Sequence, residues 1–278
     1  MQISVTSSST TSLATERQTA IRCRRPSVKE LCSFLSQYSA LLLGCGATCI
    51  RLEHNITRIA STYGMRIVSY IMPRHISLSV IDDDTTESVT MVVATAKTPI
   101  SFYVNTRLSE LSWEIADGRI DFDEALHRFR HIATCEHQNG WLLLLLVAVA
   151  NASFCRLFGG DIIAMTTVAL ATAVGYRLKQ ILLAMKTDVW VMAMLCAFVS
   201  SVIGASCEVW NLGLTPHIAL ATSVLYLVPG IPFLNSFSDV LYRHYICALS
   251  RFIDAAVLTA CLSIGLCAGM LVTGTGMF

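Results

Sequence analysis

Charge is what the second half of this sequence has least of. Residues 141–278 carry only 6 Lys/Arg and 5 Asp/Glu, whereas residues 1–140 carry 14 of each. So few charges exclude a second water-facing domain and point to lipid as the surroundings of that half. The formal net charge is +1, and no strong basic face is present, which excludes nucleic acid as a partner. Paired cysteines are also missing: the eleven cysteines are odd in number, scattered and without a C-x-x-C, which excludes a disulfide framework. Cys155, Cys196, Cys207, Cys261 and Cys267 lie in apolar runs, where Cys acts as a small hydrophobe. Cys45 and Cys49 fall one helical turn apart without His partners, a pattern of packing rather than metal binding. No Gly-x-Ser-x-Gly elbow frames a nucleophile. Residues 1–19 are rich in Ser and Thr but hold no apolar h-region, so 1–26 is expected to be a disordered leader rather than a signal peptide.

From Ser27 the pattern turns helical. Ser27 with Glu30 fits a capping box, and Val28, Leu31, Cys32 and Leu35 mark an apolar stripe. Gly44 and Gly46 interrupt it, and a second helix is expected over Ala47–Tyr63 with Gly64 as its stop. Arg66–Met72, His75–Ile81 and Ser88–Ala96 read as strands, with a turn at Asp82–Asp84, and Thr98–Val104 is expected to add a fourth. An amphipathic helix from Ser109 ends at Gly118, and Asp121 with Glu124 caps another through Ile132. Residues 27–138 thus form a small α+β soluble domain able to bury its own core. Asp82–Asp84 offers acids for a hard cation or simply a solvated turn. His127 and His131, i and i+4 with Glu136 and His137 beyond them, are a weak metal pattern. Neither carries an expected metal or cofactor.

Residues 139–278 hold five apolar segments: Trp141–Phe158, Ile162–Leu183, Val189–Cys207, Thr215–Tyr242 and Phe252–Thr273. The fold class is therefore an α-helical polytopic membrane domain of about five spans, one of them proline-broken, preceded by the small α+β soluble domain. Arg128 and Arg130, then Arg177, Lys179 and Lys186, then Arg243 and Arg251 fall on one side, which puts the soluble domain in the cytoplasm and Phe278 outside. In the fourth segment Pro229 and Pro232 have no N–H, so the carbonyls of Leu225 and Val228 lose their helical donors. Pro232, Asn235 and Asp239 would share one face of a resumed helix. Polar groups at a break in a membrane helix suit a solute site, with Asp239 as a proton-coupling carboxylate and Arg251 as a nearby cation; a kinked helix bonded to its neighbours is the alternative. Asn151 and Ser153 either line the path or hold helices together. Arg156 and Asp161 could pair across Gly159–Gly160, and so could Arg251 and Asp254. Gly265 and Gly269 form a G-x-x-x-G that suits close helix packing.

Three stretches carry a family resemblance. They are Gly46-Ala47-x-x-x-Arg51-x-Glu53, Phe154-Cys155-Arg156-Leu157 with Gly159-Gly160-Asp161, and Leu227-Val-Pro-Gly-x-Pro-x-x-Asn235-x-x-x-Asp239 followed by Leu249-x-Arg251. Together with the domain order they resemble the threonine/serine exporter family, in its split form the YjjP-type subunit, over residues 28–273. The resemblance implies a bacterial inner-membrane secondary transporter, not an enzyme. It would export small amino acids (threonine/serine) or dicarboxylates such as succinate, driven by protons. Its transport path would use Asn151, Ser153, Pro229, Gly230, Pro232, Asn235, Asp239 and Arg251. Fused members carry about twice as many spans, which implies a separate small polytopic subunit of the YjjB type as partner, in a hetero-oligomer set in the lipid bilayer. Gly46, Ala47, Arg51 and Glu53 have no derivable mechanism beyond a salt-bridged hinge. A membrane-anchored hydrolase, or a sensor acting through the soluble domain, is the alternative function.

Overall fold

A computed structural model describes residues 25–95, 98–134 and 139–275. Nearly all of the expected leader, with Glu136 and His137, lies outside the described residues. The chain divides into two compact units: Met1–Cys135 with Ser238–Cys247, and Glu136–Phe237 with Ala248–Phe278.

The first unit opens on α1 (Val28–Gly44), where Ser27 Oγ accepts the Glu30 N–H and the Glu30 carboxylate accepts the Ser27 N–H at 2.9 Å. Two of the helix's orphan donors are thereby satisfied. Gly46, at φ +89°, turns the chain into α2 (Cys49–Thr62), and Gly64, at φ +69°, turns it out again. Three antiparallel strands follow in the order β1 (Met65–Ile71), β2 (His75–Asp82), β3 (Ser88–Ala94), with Val80 opposite both Ile67 and Val89. The expected fourth strand over Thr98–Val104 does not form. Ser101 accepts the Val104 N–H and caps α3 (Phe102–Ala116), so a helix start overrides the β-branched residues. Asp121 caps α4 (Phe122–Ala133) at 2.8 Å from the Glu124 N–H.

The core of this unit lies between α1 and the sheet, with α2 packed on β1 and α3. Ile76, Leu78 and Val80 point into it from β2 by strict alternation. Phe34 meets Phe122 and Phe129 edge-on, with centroids 5.7 and 5.6 Å apart. Cys247, from the returning segment, is buried in the same cluster.

The second unit is helical: α5 (Gly140–Leu157), α6 (Ile162–Ala184), α7 (Val189–Val209), α8 (Pro216–Ser223), a 3₁₀ turn at Leu225–Leu227, α9 (Gly230–Leu241) and α10 (Tyr245–Thr273). Asn139, Asp161 and Asp188 cap the first three by accepting the N–H groups of Trp141, Ala164 and Trp190. Four of these helices are long and apolar enough to cross a membrane, and Pro216–Leu227 with Gly230–Leu241 make a fifth candidate bent by 61°. α7 is the most enclosed of the four and packs on α6 and α8. Glycines set its closest approaches: a Cβ on Gly265 or Gly269 of α10 would strike the Met194 carbonyl or Ser201 Oγ of α7. α10 starts seven residues before the expected Phe252, because the helix continues through Arg251 into the turn that joins the first unit.

Candidate functional site

The break in the fourth apolar segment organises the polar residues of the helical unit. α8 gives way to the 3₁₀ turn after Ser223, and α9 starts at Gly230 with Pro232 in its first turn, where a missing N–H costs no intrahelical bond. The carbonyls expected to be freed, those of Leu225 and Val228, are instead met locally. Leu225 accepts the Val228 N–H at 3.2 Å, and Val228 accepts the Gly230 N–H at 2.9 Å. Just upstream, at the end of α8, the Thr222 carbonyl takes the Val224 N–H and has room for a second donor. The buried Asn151 side chain supplies it: Nδ2 donates to the Thr222 carbonyl at 3.1 Å and to Thr172 Oγ1 at 2.6 Å. One amide thus joins α5, α6 and the end of α8.

A second polar pair lies one helical turn further along α6. Tyr226 of the 3₁₀ turn places its hydroxyl 3.0 Å from Ser200 Oγ of α7. Gly175 makes the room, since a Cβ there would collide with both oxygens. Thr172 and Gly175 share one face of α6, so the Asn151 and Tyr226 contacts form a short polar ladder inside an apolar bundle. Its members carry no formal charge, which suits weak, exchangeable binding of polar solute groups.

The remaining sequence candidates distribute differently. Ser153 is exposed and returns its hydroxyl to the Val149 carbonyl at 2.9 Å, away from this ladder. Pro229 is buried and Gly230 exposed, while Pro232, Asn235 and Arg251 are half-buried. Asp239 is fully buried within the first unit, where its Oδ1 accepts the Cys49 N–H at 3.0 Å. Thr172, Ser200, Thr222 and Tyr226 escaped the sequence reading. Their signal was spacing: Thr172 with Gly175 at i, i+3 on an apolar helix, and Tyr226 directly before the proline run.

One expected pairing is replaced. Arg156 donates to the Gly160 carbonyl at 3.1 Å rather than to Asp161. Asp161 accepts from the N–H groups of Ala164 (2.8 Å) and Leu214 (2.7 Å), and those two donations hold its carboxyl below the usual carboxylate range. The acids of the Asp82–Asp84 turn are paired with arginines: Arg25 lies 3.0 Å from Asp82 and 3.3 Å from Asp84, and Arg66 takes Asp83 at 3.2 Å. Among the described residues no group of three or more metal-ligating side chains gathers, and His127 and His131 line a shallow surface hollow.

The soluble-domain motif acquires contacts. Gly46 packs so closely under Ile100 that a Cβ would lie 3.0 Å from it. Arg51 donates to Asn105 at 3.2 Å, and Glu53 Oε2 lies 3.4 Å from Nε2 of His244. Arg51 and Glu53 thus each reach a different element. Behind α2, Asn55 donates to the Tyr38 hydroxyl at 3.0 Å, and Tyr38 donates to the Leu108 carbonyl at 2.8 Å. Arg58 donates to Ser112 at 2.7 Å and stacks 3.6 Å over Trp113. Burial pushes the Tyr38 hydroxyl above its ordinary value, so it remains a neutral donor.

Comparison with known proteins agrees with this architecture. The chain is 29% identical over 257 residues to the probable succinate transporter subunit YjjP of Klebsiella aerogenes, covering 92% of this chain and 97% of that protein. It is 26% identical over 240 residues to the protein of the same name from Escherichia coli K12, covering 86% and 93%. No solved structure matches. The family described as putative threonine/serine exporter matches residues 33–273; spanning both units and the broken helix, that match makes the chain a member of this family of membrane transporters, not an enzyme.

Proposed function

We propose that the chain is one subunit of a two-chain secondary transporter of the bacterial inner membrane, exporting small carboxylate-bearing solutes with the proton gradient as driving force. The solute class covers threonine and serine, which the family description names, and small dicarboxylates such as succinate, which the relatives' names give. The observation that carries this reading is the polar ladder at the helix break, where Asn151 holds the Thr222 carbonyl and Tyr226 meets Ser200. A backbone carbonyl at membrane depth exists only where protein, water or solute satisfies it. A side-chain amide that already satisfies one can trade that bond for a solute oxygen.

The first unit, in this reading, faces the cytoplasm, with the C-terminus outside. The cations support it: Lys186 lies between the second and third candidate spans with Arg177 and Lys179 in the last two turns of the second, and Arg243 lies between the fourth and fifth with Arg251 in the first two turns of the fifth. A small polytopic partner of the YjjB type completes the carrier; the relatives are themselves named as subunits. Counterflow of labelled serine, threonine and succinate in proteoliposomes tests the proposal. Exchange is expected only when the chain and its small partner are reconstituted together, and collapse of the pH gradient should abolish concentrative movement. Absence of exchange by an assembled pair would sink it.

A further inference from the structure

The last turn of α9, the first residues of α10 and the turn between them belong to the first unit. Ser238–Cys247 is built as an elbow: Arg243 adopts φ +66°, its N–H reaches the Val240 carbonyl at 3.0 Å, and the His244 N–H returns to the Asp239 carbonyl at 2.8 Å. Three side chains then fasten it. Asp239 Oδ1 accepts the Cys49 N–H at 3.0 Å, at the first residue of α2, where the helix dipole favours a carboxylate. His244 lies 3.4 Å from Glu53, one turn further along α2. Cys247 is buried in the first unit's apolar core, its Sγ 3.4 Å from the Ile71 carbonyl. Two sequence motifs that had no common explanation, the one around Gly46–Glu53 and the one ending at Asp239, therefore meet in one dock.

We infer that Asp239, with Glu53 and His244, positions the broken helix by docking the elbow on α2, and that this dock sets the rate of transport. α9 is one uninterrupted helix from Gly230 to Leu241. Its start lies at the break and its last turn lies in the first unit. A change of bend at Val228–Pro229 must be carried by that helix, and the dock fixes where its far end is held. Asp239 acts through the Cys49 amide rather than by moving a proton. This role rests on the carrier reading, and the dock can be tested independently of it.

The test measures the hydrogen exchange of the Cys49 amide and the counterflow of labelled succinate and serine by the full chain reconstituted with its small partner. Asp239→Ala should expose the Cys49 amide. It should also lower the maximal exchange rate per assembled carrier about tenfold, the scale of one lost charged hydrogen bond, with the half-saturating solute concentration unchanged. Asp239→Asn keeps an acceptor for Cys49 and should keep both the protection and most of the rate. Wild-type rate in Asp239→Ala, or an Asp239→Asn carrier as slow as Asp239→Ala with its amide still protected, would overturn the inference; the second result would assign the charge itself to the mechanism. Should Asp239→Ala fail to assemble, Glu53→Gln and His244→Ala replace it. Each should slow exchange by the same factor as the double variant, and additive losses would count against the dock. If even the wild-type pair moves no solute, the carrier reading fails, while an unchanged Cys49 protection in Asp239→Ala would overturn the dock.

Discussion

The two units bury opposite kinds of residue. The first fully buries large side chains such as Phe34, Tyr38, Leu52 and Phe122, whereas the most enclosed residues of the helical unit are mostly small, Ala164, Ala171, Ala197 and Ser200 among them, and Leu145, Phe154, Leu170 and Phe237 stay outside. The difference follows from the solvent. In water, burying apolar surface stabilises by roughly 25 cal/mol per Å², so size is an advantage inside. In lipid that drive between helices vanishes, and association rests on close approach and interhelical hydrogen bonds, which small residues permit. A substitution of the same size should therefore have opposite meanings in the two units.

Enlargement in the helical unit should do most damage. Gly175→Leu drives a side chain into Tyr226 and Ser200, and we expect no monodisperse protein by size-exclusion in detergent; a well-assembled variant would mean that the polar ladder is slack. Truncation should hurt most in the first unit. Leu52→Ala, at a site with no exposure, should cost about 2–5 kcal/mol, read by pulse proteolysis of that unit in the intact chain. A loss confined to a few tenths would place the first unit's stability elsewhere. Asn151→Ala removes the amide that joins three helical segments. It should cost about 1–2 kcal/mol in lipid and slow exchange, checked by thermal denaturation beside counterflow. The smallest effect is the acid limb. Asp161 has its carboxyl held low in the folded state, so its stabilisation is present above the unfolded value near pH ~4 and is lost as pH falls through the depressed folded one. Asp161→Asn should flatten that limb in an acid-melt series, and an unchanged limb would mean other carboxylates dominate it.

Elements governed by neighbours along the chain are legible in the amino-acid sequence alone. The Ser27–Glu30 box, the Asp121 cap, the Gly64 stop and the proline break each depend on a few consecutive residues, and each stands where the pattern puts it. Thr98–Val104 misled because its β-branched residues outweighed a cap visible only as one serine. At the site, the break and Asn151 were legible but their relation was not. Which carbonyl the Asn151 amide reaches depends on how α8 ends in the 3₁₀ turn, and side-chain spacing does not encode that. Asp239 was legible as a motif carboxylate on an apolar helix, but its place beside α2 was not. Its partner Cys49 lies 190 positions away in sequence, and no local rule reaches that far.

The length of α10 has a consequence of its own. Its 29 residues rise about 44 Å at 1.5 Å each, against a hydrocarbon core of roughly 30 Å. The helix is too long for an upright crossing, and its first turn, with Cys247, is committed to the first unit's core. Tilting or a projecting stub must absorb the excess, and which of the two prevails depends on the acyl chains around it. Bilayer thickness thereby becomes a variable of this protein: reconstitution in short-chain and long-chain lipids would bear on the helix that continues from the elbow, with no residue changed.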